Sequence, residues 1–316
     1  PPQSRPRAPA PTAAQPSTPA HRFVWDASTV TSLEAAGRRV DFTYQRSREE
    51  LTSYAQHNYR LVQRNCYAAE QGGASCSLDT HALRNTTHSA PQPGGRPLQP
   101  AHAVTRLVVA NIDTATALRE LAVAGHDACA LNFANASHVG GGYLRGARAQ
   151  EEDLCRLMPA LYSQLRQLKY PIKPHSAHYT RTWLVRAAGT YRLVTPPLNV
   201  AIVSSAMPNL GGSGGDSARF GRAGSDGWSK TVRLRIRAVL HAARSERHSA
   251  LVLGAFGCGA FGNPPADVAR AFASVLADPE FRGAFDTVVF AIVDPKRSDQ
   301  GNCAAFRAAL QTLCDA

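Results

Sequence analysis

The sequence predicts a three-layer α/β domain, with helices covering both faces of a mostly parallel sheet. Three observations lead there. Short apolar runs of strand length, such as Leu107-Val108-Val109-Ala110 and Ala250-Leu251-Val252-Leu253, are continuous rather than alternating, as strands buried on both faces require. Segments with helical periodicity lie between those runs. Finally, 316 residues with 44% hydrophobic content suffice for one large core, and no internal repeat suggests a solenoid.

Taken in chain order, residues 1–24 are expected to be a disordered Pro/Ala-rich tail. The stretch PPQSRPRAPAPTAAQPSTPAH has almost no large apolar side chains and cannot bury enough surface to order itself. It has no apolar core of signal-peptide type, and no window reaches the roughly 18 consecutive apolar residues of a membrane span. A soluble, intracellular protein is the expectation, with secretion left open by the tail. Ser47 to Arg64 places Leu51, Tyr54, Ala55, Tyr59 and Val62 at helical intervals, and Ser47 caps the helix ahead of Glu49 and Glu50. Strands are predicted over 107–110, 129–133, 200–203, 250–253 and 288–293, and helices over 115–124, 152–168, 229–243 and 265–276. The glycines 211–215 within Asn209 to Trp228 read as a long loop, a lid or an insertion.

Composition narrows the chemistry. Seven cysteines are odd in number and scattered, with neither Cys-x-x-Cys nor His at zinc spacing, so free thiols and no metal site are expected. The formal net charge of +12 suits a polyanionic partner. No basic block, zinc finger or RNA-binding consensus accompanies it, so a sequence-reading nucleic-acid binder is not indicated.

Two glycine motifs carry the functional reading. Gly140-Gly141-Gly142 is followed, after seven residues, by Gln150-Glu151-Glu152. Glycines let a backbone run against a ligand, and adjacent carboxylates with tuned pKa values are what glycosidic cleavage needs. A glycine turn leading to an acidic helix start is the alternative reading. Downstream, Gly257-Cys258-Gly259-Ala260-Phe261-Gly262 follows a predicted strand and precedes a helix, a cradle for a diphosphate such as that of NAD or ADP-ribose. A dehydrogenase would also want an acid about 20 residues on, at the end of the next strand. Asp286 precedes that strand and Asp294 lies farther away.

The triple glycine, its seven-residue spacing and Gln-Glu-Glu resemble the signature of poly(ADP-ribose) glycohydrolases. The likeness extends to the microbial branch through Leu131 to Ser137, Leu253 to Pro265, Phe290 to Asp294 and Asn302 to Arg307. It covers roughly residues 105–316, with fainter likeness from about residue 38. The resemblance implies a single glycohydrolase domain over 25–316: a macrodomain-like core over about 104–316 behind an N-terminal helical extension over about 25–103. It implies an ADP-ribosyl hydrolase that needs no metal or cofactor. Its substrate is poly(ADP-ribose) or an ADP-ribosylated protein, and its product is ADP-ribose.

By that resemblance Glu152 is the general acid and base, and Gln150 and Glu151 orient the catalytic loop and bind ribose hydroxyls. One acid serves both steps, because residues adjacent in sequence do not flank a sugar from opposite sides. To act near neutral pH, Glu152 needs a raised pKa, from burial and from Glu151. Asn135 is implied to bond the ribose beside the cleaved link, or else is a turn residue satisfying its own backbone. Phe261 packs near the riboses or plugs its loop, and Phe306 stacks on adenine or faces the core. Two other functions share these features: a hydrolase of threonine- or serine-linked mono-ADP-ribose, and a macrodomain that binds ADP-ribose without cleaving it.

Overall fold

The computed structural model describes residues 21–40, 46–68, 75–90, 100–211, 215–294 and 301–315. Residues 1–20 of the expected tail lie outside that set. Along the chain come β1 (Arg22–Trp25), α1 (Ala27–Gly37), α2 (Arg48–Arg64), β2 (Cys66–Ala68), β3 (Ser75–Ser77), β4 (Arg84–Ser89), β5 (Val104–Ala110), α3 (Thr114–Val123) and β6 (Ala128–Phe133). Next are α4 (Gln150–Leu157), α5 (Leu161–Leu165), β7 (Ser176–Arg186), β8 (Leu193–Ser205), α6 (Ser217–Phe220) and α7 (Asp226–Ser245). The chain closes with β9 (Ala250–Leu253), α8 (Pro265–Ala277), β10 (Thr287–Ala291) and α9 (Asn302–Cys314).

Eight strands form one sheet in the order β1-β5-β10-β9-β6-β8-β7-β4. The first six are parallel, whereas β7 runs antiparallel to both β8 and β4. Consecutive residues of the central strands point to opposite faces. Leu107, Cys129, Leu251 and Val288 therefore join α7, α8 and α9 in one core, and Val108, Ala130, Val252 and Val289 join α1 to α5 in the other. The continuous apolar runs are thus buried twice over, and the three-layer expectation holds.

Local signals hold where they are strong. Glu50 N–H donates to Ser47 Oγ at 3.0 Å, the cap that begins α2. The helix expected over 152–168 is instead α4 and α5, because Pro159 pushes Met158 out of helical geometry, to φ −120° and ψ 88°.

Two expected boundaries need correction. Residues 22–24, assigned to the tail, belong to β1, whose Phe23 is buried and whose register pairs Arg22 with Val104. The 25–103 segment is not simply a helical extension. Its β4 closes the far edge of the main sheet against β7, so with β1 the first hundred residues supply both edge strands. Neither strand has an apolar run long enough to show in the sequence.

The loops after β5, β6, β9 and β10 all leave the carboxyl edge of the parallel strands, where open α/β sheets bind ligands.

Phe306 lies in the core rather than against a ligand. It is 0% exposed and packs on Phe290 and Phe272 at ring-centroid distances of 5.4 and 6.2 Å. Its position on the inner face of α9 overrides the adenine-stacking role. Phe306→Ala should cost about 3–5 kcal/mol in denaturant unfolding, while the folded variant keeps its affinity for ADP-ribose. A stable variant with weakened affinity would restore the stacking role.

Candidate active site

The site is built on the junction between β6 and α4. Gln150, at the start of α4, accepts a hydrogen bond from Phe133 N–H at 2.8 Å and donates to Leu131 O at 2.7 Å and Thr114 Oγ1 at 3.1 Å. One amide therefore ties α4 to the end of β6 and to the start of α3. From the other side, Asn58 of α2 donates through Nδ2 to the carbonyls of Cys155 and Arg156, at 3.1 and 2.8 Å. These partners satisfy carbonyls that the end of a helix leaves open.

So anchored, α4 carries Glu151 and Glu152 into the interior, where they are 3% and 6% exposed. Glu151 Oε2 accepts from Asn135 N–H at 2.8 Å, and Glu152 Oε1 accepts from Gly142 N–H at 2.7 Å. The other oxygen of each, Glu151 Oε1 and Glu152 Oε2, is buried without a hydrogen-bond partner. The triple glycine makes this possible. Gly141 has φ +55°, and a Cβ there would overlap Glu152 Oε1. No other residue lets the loop lie directly on the carboxylates.

Burial pushes the Glu151 carboxyl up to about 8, and the Glu152 carboxylate beside it adds to the shift. The pair therefore retains a proton near neutral pH. Asp153, next on the helix, is raised to about 6 by burial, although the Tyr191 hydroxyl donates to it.

The diphosphate loop runs from β9 to α8. Its conformation is held by buried Asn263, which donates to Pro208 O at 2.8 Å and Gly257 O at 2.9 Å while accepting from Trp228 Nε1 at 2.8 Å. Gly257 has φ +74°, and a Cβ there would lie 2.5 Å from Met207 Cβ, so glycine is required. Pro265 opens α8, whose amino end has no side-chain cap and leaves backbone N–H groups for an anion. The Cys258 thiol is pushed up to about 12 by burial and is not a nucleophile at neutral pH.

A cavity of about 800 Å³ opens beside these elements. Of the residues expected at the site, it brings together Gln150, Gly257, Gly259, Ala260 and Phe261. Cys258 and Gly262 belong to the same loop but not to the wall. Gly140, Gly141, Gly142, Glu151 and Glu152 are not among its lining residues, although their neighbours Gln150 and Asp153 on α4 are. Asn135 faces a different, smaller cavity. Its Oδ1 accepts from the N–H groups of Ser137 and His138 at 3.0 and 2.9 Å, the turn geometry that its residue type left open.

Several wall residues escaped the sequence reading. Asp113 caps α3 through Oδ1, at 2.9 Å from Thr116 N, while its buried Oδ2 has no partner. The signal was present: an aspartate between a strand and a helix, at the carboxyl edge of the sheet. Phe133 and Phe256 form an apolar wall, with ring centroids 5.5 Å apart. Arg46, Arg148 and Tyr191 close another side, assembled from segments more than 40 residues apart in sequence.

A family model for the catalytic domain of microbial-type poly(ADP-ribose) glycohydrolase matches residues 55–187. The solved poly(ADP-ribose) glycohydrolase of Thermomonospora curvata is 30% identical, over 83% of this chain and 99% of its own, with a TM-score of 0.67. The chain belongs to the microbial-type poly(ADP-ribose) glycohydrolase family. A second Thermomonospora glycohydrolase structure, bound to the inhibitor ADP-HPD, is 32% identical over 82% of this chain and 99% of that one, with a TM-score of 0.65. The Deinococcus radiodurans glycohydrolase in complex with ADP-ribose is 34% identical over 66% and 85%, with a TM-score of 0.56. A comparison with curated protein sequences finds no significant match. Among the described residues, no helix is long and apolar enough to cross a membrane, and no His/Cys/Asp/Glu group is arranged to hold a metal ion.

The buried acid of this glycohydrolase makes stability depend on pH. The folded state holds the Glu151 proton up to about pH 8, whereas an unfolded glutamate releases it near 4.5, so stability falls as pH rises through that window. Glu151→Gln should flatten this decline by up to about 1.4 kcal/mol per pH unit. Denaturant titrations of both proteins across the window check it, and parallel curves would mean that the proton resides elsewhere.

Proposed function

We propose that the chain hydrolyses the O-glycosidic ribose–ribose bonds of poly(ADP-ribose) and releases ADP-ribose, with Glu152 as general acid and base. The observation that carries this reading is the buried carboxylate pair of α4, each member with one unbonded oxygen, on a helix whose Gln150 and Asp153 line a cavity shared with the 257–261 glycine loop. Its volume of about 800 Å³ falls within the roughly 300–1,000 Å³ of sites that enclose nucleotide-sized ligands.

The ADP-ribose diphosphate lies against the 257–262 backbone and the amino end of α8, where N–H groups and the helix dipole favour an anion. Phe133 and Phe256 offer apolar surface at the cavity wall, and the unmatched Asp113 oxygen offers an acceptor there. The reacting ribose sits between Phe261 and the glycine loop.

Cleavage breaks the bond from the anomeric carbon to the leaving oxygen. As an oxocarbenium ion develops, the single proton held by the Glu151–Glu152 pair is delivered through Glu152 to that oxygen, which departs as a hydroxyl. The nearby diphosphate charge stabilises the cation. The resulting Glu152 carboxylate takes a proton from a water attacking the same carbon, which completes hydrolysis and restores the acid. Glu151, with its high proton affinity and its bond to Asn135 N–H, positions the pair and limits its net charge.

Glu152→Gln keeps the side chain's shape and its acceptor oxygen for Gly142 but removes the acid. It should bind ADP-ribose as wild type does and lose roughly 10²–10⁴-fold in hydrolysis. Mass spectrometry of ADP-ribose released from poly(ADP-ribose) by both proteins tests this. A fully active variant removes Glu152 from the mechanism. No release by wild type moves the search to threonine- and serine-linked mono-ADP-ribose.

A further inference from the structure

The reaction above leaves a second cavity, of about 240 Å³, without a role. Asn135 and His138 wall it on the side of the catalytic loop, and Phe261 is shared between its lining and that of the large cavity. The two cavities therefore meet at the residues that flank the reacting ribose.

The small cavity is cationic. Arg235, Arg219 and Lys173 line it, against Asp216 as the one acid among its lining residues. Asp216 is already engaged, since its Oδ2 accepts from Asn209 N–H at 3.0 Å. Arg219 and Lys173 are exposed, whereas Arg235, projecting from α7, is only 3% exposed. Arg235 NH1 donates to Ile172 O at 3.0 Å and Lys173 O at 3.4 Å, but its Nε–H is buried with no partner. Burial lowers the Arg235 pKa to about 10, which still leaves it charged at neutral pH. Asp216 attracts Arg235 through space but makes no ion pair with it, and a buried guanidinium that keeps an unmatched donor is costly unless an anion completes it.

We propose that this cavity binds the diphosphate of the ADP-ribose unit on the leaving side of the scissile bond. The proposal rests on the polymer-hydrolase reading above. In the polymer the leaving oxygen belongs to an adenosine ribose whose 5′ carbon carries the next diphosphate, so one ribose separates the broken bond from that anion. The cavity, of about 240 Å³ and lined by three cations, matches this in charge. Seryl or threonyl leaving groups bring no such anion, so these residues select polymer over protein-linked monomer.

The test compares kcat/KM on poly(ADP-ribose) with kcat/KM on a peptide carrying one serine-linked ADP-ribose, for wild type, the exposed double variant Lys173→Glu/Arg219→Glu, and Arg235→Lys. Thermal unfolding confirms that each variant is folded. The polymer-to-peptide ratio is expected to fall at least roughly tenfold in the double variant, as for loss of a charge-assisted contact. In Arg235→Lys, which keeps the charge but loses the Nε–H, the ratio is expected to fall less. An unchanged ratio in the double variant, with wild type active on polymer, overturns the leaving-side site alone. Wild type inactive on polymer overturns both this site and the polymer-hydrolase reading.

Discussion

Two carboxylates lie side by side in the interior, with backbone N–H groups as their donors and, among the described residues, no ion pair to either. Desolvating such a pair opposes folding, and the surrounding elements are arranged to hold it in place. One oxygen of each carboxylate is fixed by the loop above, at Asn135 and Gly142, and the other is left unbonded. Burial holds the Glu151 proton at neutral pH, and the unbonded oxygens have no competing hydrogen-bond partner. The burial that costs stability is what raises the proton affinity of the pair.

The rest of the fold follows from anchoring α4. Gln150 clamps its first turn to β6 and α3, and Asn58 clamps its last turn to α2. Arg186 of β7 extends the second clamp, donating to Asn58 Oδ1 at 3.1 Å and to Tyr191 O at 2.8 Å. The catalytic helix is only eight residues long, too short to persist alone. It persists because both ends are bonded to other layers. The N-terminal segment is thus part of the catalytic apparatus rather than an appendage, since it supplies Asn58 and the edge strands β1 and β4.

The chemistry is divided between two cavities that share Phe261. Residues of the glycine loop between β9 and α8 line the larger one, and buried and exposed cations line the smaller one.

The amino-acid sequence by itself determined the layer order, the five central parallel strands, the Ser47 cap, the glycine loop with its glutamates, and the diphosphate loop. Each of these rests on neighbours in the chain, either a continuous apolar run or a backbone conformation that only glycine adopts. Tertiary structure alone decided the edges of the sheet. The polar sequence of β4 and the buried Thr180 and Thr182 of β7, both 0% exposed, give no period that reads as a strand. It also decided that Phe306 fills the core while Phe261 lines the site, although both are phenylalanines beside family motifs. The same holds for Asn58 and Arg235, whose hydrogen-bond partners are dozens of residues away. Side-chain burial and unmatched hydrogen-bonding atoms exist only once distant segments pack together, and local sequence carries no record of them.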